Sequence, residues 1–277
     1  MRVQRIGDVT AIRDQVEVPG LGGLPINAFV VHAEQPVLVD TGRPVARAEF
    51  MAALESVIDP ADIRWIWLSH PDRDHMGSLF DVLDRAPQAR LVSTFLAVGY
   101  LTVEFEMPFH RLQLVNPGQS LDVGAGRRLH AFRPPLFDSP MTVGFYDDAG
   151  NYAFSSDCFG APMPTADEAA VDDIRALPSD VVRQGQLLWA TADSPWVSKT
   201  DPARFAATYD ELRRRAPELV LSTHLPPASG QLDTFVEMLG EAPHAPEFVG
   251  PDQAALEAML GGPVTLPEQS VGEKTPV

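Results

Sequence analysis

The sequence contains, at residues 69–77, the stretch Ser69-His70-Pro71-Asp72-Arg73-Asp74-His75-Met76-Gly77. Its two histidines and two aspartates fall within six residues, His70 to His75. Four potential metal ligands this close together are difficult to explain by packing or by solubility, although a solvated polar turn is the simpler alternative. The stretch therefore predicts a metal site.

The ligand stretch stands between a predicted strand and a predicted helix. Ile63–Leu68 is short and rich in aromatic and aliphatic residues, which indicates a buried strand. The inward face of the following helix is predicted to carry Leu79, Val82 and Leu83. This helix would end before Pro87. Because open α/β sheets bind ligands at the carboxyl ends of their strands, the sheet would hold the stretch in place.

The rest of the chain alternates strands with helices, which predicts an α/β fold. The further predicted strands are Ile26–Val31, Pro36–Val39, Arg90–Thr94, Arg128–Arg133, Thr142–Tyr146, Tyr152–Ser155 and Leu219–Thr223. The further predicted helices are Arg47–Ile58, Pro202–Arg215, Leu232–Leu239 and Asp252–Leu260. We expect residues 1–262 to form a single domain of two αβ halves. Residues 263–277 would be a flexible tail.

One long segment resists a regular assignment. Phe159–Val182 is acidic and interrupted by prolines, so it is predicted to be irregular and to lie on the surface.

Composition excludes several classes of partner and site. The formal net charge of −17 over 277 residues argues against nucleic acid and against an anionic membrane, since both need a basic face. Cys158 is the lone cysteine, so neither an intrachain disulfide nor a cysteine-based zinc cage can form. No leader-like or membrane-spanning run is apparent, and a reducing cytoplasm is the predicted location.

Three further candidate ligands lie at or beside the ends of predicted strands: Asp138, Asp157 and His224. Each has a structural alternative. Asp157 is also a common type of turn residue, His224 can be a buried structural histidine, and Asp138 can bond only to its own proline-rich loop. If Asp138 does not reach the site, a mononuclear centre remains open.

The order of these motifs resembles that of the metallo-β-lactamase fold. It runs from Leu38-Val39-Asp40-Thr41-Gly42 through the ligand stretch to a ligand before a strand pair, an aspartate after a strand and a late histidine. The resemblance implies an αββα four-layer sandwich with a dinuclear site at one sheet edge. Most hydrolytic members carry His-x-His-x-Asp-His. Here Asp72 replaces the second histidine, and Asp138 stands where those members show another histidine.

An acidic residue at the position of Asp72 is similar to the pattern of the flavodiiron proteins and the related oxygen-binding diiron proteins, although theirs is a glutamate. The resemblance implies that one metal is held by His70, Asp72 and Asp138, the other by Asp74, His75 and His224, and that Asp157 bridges them. Asp74 and Asp157 are also the predicted catalytic residues. We expect no flavodoxin domain in a chain of this length, so electrons would come from a separate donor protein.

The donor set favours one chemistry over another. Three imidazoles and four carboxylates are hard, anionic ligands that suit iron, or manganese, better than zinc. The leading hypothesis is a diiron or iron–manganese oxidoreductase that binds or reduces dioxygen or a related small oxidant. The alternatives are a metal-dependent hydrolase of an ester, lactone, thioester or phosphodiester, and a non-catalytic oxygen sensor. The subunit number is left open, a homo-oligomer included.

Four neighbouring residues have supporting or structural interpretations. Asp40 and Thr41 are predicted to position ligands through hydrogen bonds. Cys158 is interpreted as a small core residue. Trp189 and Trp196 either line the mouth of a pocket or are ordinary core aromatics.

Overall fold

A computed structural model describes residues 1–261 of the chain. Two β-sheets pack face to face, and helices cover the outer face of each, which confirms the predicted αββα architecture. The proposed tail at 263–277 lies outside the described residues. The assignment of residues 1–262 to a single domain stays a prediction.

The first sheet has seven strands in chain order. They are β1 (Arg2–Ile6), β2 (Val9–Val18), β3 (Gly22–Val31), β4 (Val37–Val39), β5 (Trp65–Trp67), β6 (Arg90–Ser93) and β7 (Leu112–Leu114). Pairing is antiparallel from β1 to β4 and parallel from β4 to β7. Three of these strands, β1, β2 and β7, were not predicted from the sequence. β1 carries more polar than apolar side chains because it is the exposed edge of the sheet.

The second sheet has six strands in the order β13-β12-β11-β10-β9-β8. They are β8 (Ser120–Asp122), β9 (Arg128–Phe132), β10 (Gly144–Asp147), β11 (Tyr152–Phe154), β12 (Leu219–Ser222) and β13 (Leu225–Ser229). Only β11 and β12 pair in parallel among these described strands. As a result, the chain leaves both strands at the same edge of the sheet.

Ten α-helices connect the strands within residues 1–261. They are α1 (Arg47–Val57), α2 (Arg73–Met76), α3 (Leu79–Arg85), α4 (Phe95–Glu104), α5 (Ala166–Ala169), α6 (Ser179–Asp193), α7 (Pro202–Thr208), α8 (Asp210–Arg215), α9 (Leu232–Glu241) and α10 (Gln253–Met259).

Two expectations about this helical layer need correction. The predicted helix Pro202–Arg215 is interrupted at Tyr209, whose backbone leaves the helical region (φ −105°, ψ 7°). The ring of Tyr209 is buried against Phe205, so packing overrides local propensity here. The segment Phe159–Val182 is not a surface loop throughout. Its first residues, at 159–163, join the core, and α6 begins before the segment ends.

The core between the sheets follows from the two-residue period of the strands. On β3, Phe29 and Val31 face the second sheet, whereas Ala28 and Val30 face the helices. Phe29 meets Phe154 of β11 edge to face, with ring centroids 5.8 Å apart. Burying each such side chain contributes about 1.5–3 kcal/mol. This packing fixes the two sheets against each other, and hence the loops that project from their common edge.

Candidate metal centre

The seven predicted ligand side chains come together at one edge of the sandwich. The ligand stretch follows β5, Asp157 follows β11, His224 follows β12, and Asp138 lies in the loop between β9 and β10. Close groups of possible ligand atoms occur there: His70, Asp72 and Asp138 form one, and Asp74, His75 and His224 form another. These are the two sets that the family resemblance implied. Their role as metal ligands stays a prediction.

The ligand stretch has a defined backbone path. His70 and Asp72 precede α2, and Asp74 and His75 lie within this single turn of helix. Gly77 ends the turn and donates its N–H to the carbonyl of Gly42 at 2.7 Å. A Cβ atom at position 77 would lie 2.3 Å from the carbonyl carbon of Arg43, so only glycine allows these two loops to touch.

Asp157 occupies the centre of the cluster. Its Oδ2 lies 3.3 Å from Nε2 of His70, and its Oδ1 lies 3.1 Å from Nε2 of His75 and 3.4 Å from Nε2 of His224. The side chain is only 5% exposed. Burial favours the neutral acid, but the three histidines outweigh it and hold the pKa of Asp157 well below its usual range. A carboxylate is thus held between both groups of candidate ligands.

The outer nitrogens of the histidines are held by hydrogen bonds that set their tautomers. Nδ1 of His224 lies 2.8 Å from the carbonyl oxygen of Pro25, which can only accept, so Nδ1 carries the proton. Nδ1 of His75 lies 2.8 Å from Oδ2 of Asp40. Nδ1 of His70 lies 3.2 Å from the Ser69 hydroxyl, which itself donates to Asp40. In the neutral rings, each Nε2 therefore presents a lone pair to the cluster.

Asp40 supports the site from behind, as the sequence analysis expected. Its two oxygens accept from the N–H and hydroxyl of Ser69 and from His75. Its backbone adopts a left-handed conformation (φ 55°). Aspartate and asparagine tolerate this conformation better than most residues other than glycine. Thr41 donates its backbone N–H and its hydroxyl to the carbonyl of His75. Asp40 and Thr41 together fix the position of the His75 ring, which approaches Asp157.

Asp138 reaches the cluster while also bonding to its loop. Its Oδ1 accepts from the hydroxyl of Thr142 at 3.1 Å, and its Oδ2 lies 3.7 Å from Nε2 of His70. The side chain is 21% exposed, compared with 53% for Asp72. Asp138 therefore makes the hydrogen bond within its own loop and also lies close to His70.

Several buried polar atoms in the cluster lack hydrogen bonds. Within residues 1–261, Nε2 of His70, Nε2 of His75 and Oδ1 of Asp157 have no hydrogen-bond partner. Burial opposes protonation of His75, but Asp157, Asp74 and Asp40 raise its pKa well above the ordinary value. Lone pairs of imidazoles and carboxylates that face each other need a proton or a metal cation between them. The residues therefore fit a bound metal centre.

The sequence analysis missed one carboxylate at this site, Asp193. It ends α6 rather than a strand, and one of its oxygens lies within 4.8 Å of oxygens of Asp138 and Asp157. Burial, followed by the charges of those two residues, raises the pKa of Asp193 to about 9. A regular α6 was not recognised, so no local signal pointed to Asp193.

The remaining candidates are resolved by their contacts. The ring of Trp189 lies against that of His224, 4.8 Å between centroids, and its indole N–H donates to the carbonyl of Asp157. Trp196 lines a cavity of about 610 Å³ together with Phe137. Cys158 is a buried core residue, as expected.

Comparison with known proteins identifies the family. Residues 25–183 match the family described as "ODP family beta lactamase", which is more than half of the chain. The chain belongs to this family. The expected likeness to flavodiiron proteins is also confirmed. Among curated proteins, the chain is 31% identical over 161 residues to "Diflavin flavoprotein A 1" of Synechocystis sp., covering 55% of this chain and 28% of that protein.

A second relative points the same way. The chain is 31% identical over 144 residues to "Anaerobic nitric oxide reductase flavorubredoxin" of Salmonella arizonae, covering 52% of this chain and 30% of the relative. The chain thus spans less than a third of the length of these two curated relatives.

Solved structures share the fold of this ODP family member. Rubredoxin oxygen:oxidoreductase from Desulfovibrio gigas superposes with a TM-score of 0.72 at 18% identity, covering 88% of this chain and 62% of that one. The flavodiiron protein from Giardia intestinalis superposes with a TM-score of 0.73 at 19% identity, covering 88% of this chain and 59% of that one. Among residues 1–261, none of the helices has the length and apolar character to cross a membrane.

Proposed function

We propose that the chain is a diiron, or iron–manganese, oxidoreductase that binds or reduces dioxygen or a related small oxidant, with electrons from an external donor. In this proposal His70, Asp72 and Asp138 bind one metal, and Asp74, His75 and His224 bind the other. Asp157 bridges the two, and Asp74 and Asp157 are the catalytic residues. The relatives named as a nitric oxide reductase and an oxygen oxidoreductase support the reaction class.

The single observation that carries this proposal is the position of the Asp157 carboxylate. One oxygen faces His70 and the other faces both His75 and His224, at 3.1–3.4 Å. A carboxylate with one oxygen toward each of two ligand groups is the arrangement that a bridge between two cations requires. Four carboxylates against three imidazoles favour iron or manganese over zinc.

Two bound metal ions would supply the electrons and the open positions at which a small oxidant reacts. The protein's own contribution is to hold the ligands in place. Asp40 and the carbonyl of Pro25 keep the Nδ1 protons of His75 and His224 outward, so that each Nε2 stays free to bind. The indole of Trp189 packs against the His224 ring at a tilt of 55°, with ring centroids 4.8 Å apart.

The test is metal analysis followed by reaction with oxidants. Protein purified without added metal should contain iron, or iron and manganese, at two ions per chain. After anaerobic reduction it should be reoxidised by dioxygen or nitric oxide, which stopped-flow absorbance and an oxygen electrode would detect. Near-stoichiometric zinc without iron or manganese would contradict the proposal.

The hydrolase and the sensor remain alternatives that this experiment separates. Metal-dependent turnover of an ester and phosphodiester panel, lost in Asp157→Ala, would favour a hydrolase. A change in visible absorption on exposure to dioxygen without catalytic turnover would favour a sensor. Zinc stays the alternative metal. A homo-oligomer and the cytoplasmic location predicted from the lone Cys158 stay predictions.

A further inference from the structure

Asp193 brings an additional carboxylate to the candidate metal centre. As the last residue of α6 it comes from the helical layer outside the second sheet, whereas the other candidates come from α2 and from loops at the strand ends. One of its oxygens lies within 4.8 Å of oxygens of both Asp138 and Asp157. In the described part of the chain, its side chain accepts one hydrogen bond, at 3.3 Å from the hydroxyl of Ser194.

These three carboxylates need a positive charge between them. Like charges this close repel one another, most of all where burial excludes water. Among the ion pairs of residues 1–261, none joins Asp138, Asp157 or Asp193 to a lysine or an arginine. Within residues 1–261 the balancing charge therefore comes from the histidines beside Asp157 or from a bound cation.

An independent observation points to a ligand at the same place. His70 is fully buried, and its Nε2 has no hydrogen-bond partner within residues 1–261. That nitrogen faces Oδ2 of Asp138 at 3.7 Å and Oδ2 of Asp157 at 3.3 Å. A buried imidazole lone pair is thus directed at two of the three carboxylates.

The spacing is close to that of ligands around one ion. Carboxylate and imidazole ligands about 2.1 Å from a cation lie at most about 4.2 Å from each other. The candidate oxygens of Asp138, Asp157 and Asp193 lie within 4.8 Å of one another, so a small side-chain movement would bring Asp193 to ligand spacing. The short Asp138 stands where hydrolytic members of the resembled superfamily show a histidine, so a ligand from a new direction can compensate for its reach.

We propose that Asp193 is an eighth ligand of the centre and binds the cation that His70 and Asp138 bind, an inference that rests on the proposed function. Its charge also has a consequence for redox chemistry. Five carboxylates would bring five negative charges to the site, against four positive charges on two divalent cations. Asp193 thereby stabilises the oxidised centre and lowers its reduction potential.

The test compares Asp193→Asn with Asp180→Asn, the same exchange at an exposed position at the start of α6. Each variant and the wild-type protein is freed of metal and titrated with Fe²⁺ or Co²⁺ against a competing chelator. Urea unfolding of the metal-free proteins is measured in parallel.

Asp193→Asn is expected to weaken binding of one of the two ions at least tenfold, to change the electronic spectrum of the cobalt form, and to raise the reduction potential of the iron form. Because asparagine is neutral and has nearly the shape of the aspartic acid side chain, the same exchange should leave the metal-free protein at least as stable as the wild type. A loss of metal affinity without a loss of stability cannot arise from misfolding. Asp180→Asn should change neither the metal affinity, the cobalt spectrum and the reduction potential nor the stability of the metal-free protein.

Equal affinities, spectra and potentials in Asp193→Asn and wild type would overturn the inference. That result would leave the proposed function intact, provided that the wild type binds two redox-active ions. Conversely, a wild type that binds two zinc ions and reacts with no oxidant would end the proposed function. The affinity difference at Asp193 would still decide whether it is a ligand.

Discussion

Asp40 orients one of the central rings from behind the cluster. It accepts a hydrogen bond from His75 and two from Ser69. Hydrogen bonds of this kind fix the tautomer and increase the basicity of a metal-binding imidazole. The backbone of Asp40 is already in the left-handed region, where asparagine is also tolerated.

Asp40→Asn should therefore fold normally but bind metal less tightly. We expect affinity for the ion at His75 to fall about 10–100-fold, because the amide cannot accept from every donor that the carboxylate serves. Metal titration against a chelator checks this. The exposed Asp84 provides the control, since Asp84→Asn should leave affinity unchanged. Unaltered binding in Asp40→Asn would mean that Asp40 is only a structural residue.

The two candidate ligand groups should respond to separate substitutions. Asp138→Ala is expected to lower occupancy of the metal at His70, and His224→Ala that of the metal at Asp74 and His75, because these residues lie on opposite sides of Asp157. Spectra of the cobalt-substituted protein can distinguish the two positions. Equal loss at both positions in each variant would contradict the assignment of ligands to two metals.

Between elements, the contact of the ligand stretch with the loop after β4 depends on one glycine. Gly77 lies against the backbone at 42–44, where a Cβ would have neighbours at 2.3–2.4 Å. Backbone atoms cannot move aside as a flexible side chain can. α2 is therefore held in its place by close packing as well as by hydrogen bonds.

Gly77→Ala should lower the free energy of unfolding by about 1–3 kcal/mol, the usual cost of overpacking, and should also weaken metal binding. Gly99→Ala is a matched control within α4. It has open space around its Cβ, and replacing a helical glycine by alanine should raise stability by about 0.5–1 kcal/mol. Urea unfolding measures both. Equal stability of the two variants would show that the loops can separate without cost.

Across the whole molecule, the convergence of carboxylates and histidines makes stability depend on pH and metal. In the metal-free protein, burial lowers the pKa of His75, but Asp157, Asp74 and Asp40 outweigh it and raise this pKa well above its ordinary value of 6.5. A raised folded-state pKa stabilises the fold fully below the unfolded value. That contribution is lost as the pH rises through the folded-state pKa.

We therefore expect the metal-free protein to unfold more easily at about pH 9 than at about pH 6. A bound cation takes the place of the proton on Nε2, so the metal-loaded protein should lose much less stability over this range. Urea unfolding at both pH values, with and without a chelator, tests this. A metal-free protein that gains stability toward alkaline pH would contradict it.

Much of this fold could be predicted because its signals are local. The apolar run before His70, the alternation along β3 and the buried face of α1 each depend on neighbouring residues, and each corresponds to an element of the structure. The split at Tyr209 and the strand β1 could not be predicted in this way. The first depends on how a ring packs, and the second on pairing with a strand that supplies the apolar face.

The sequence by itself determined an alternation of strands and helices, the ligand stretch and seven candidate ligands, because the hydrophobic period and the motifs are local. The αββα architecture followed from the resemblance of the motif order to the metallo-β-lactamase fold. Only the tertiary structure decided that Asp157 stands between three histidines, that Asp40 and Pro25 fix the tautomers, and that Asp193 joins the cluster. The physical reason is that these relations are distances between residues far apart in sequence. Such distances exist only once the two sheets have packed and brought the ends of their strands to a common edge.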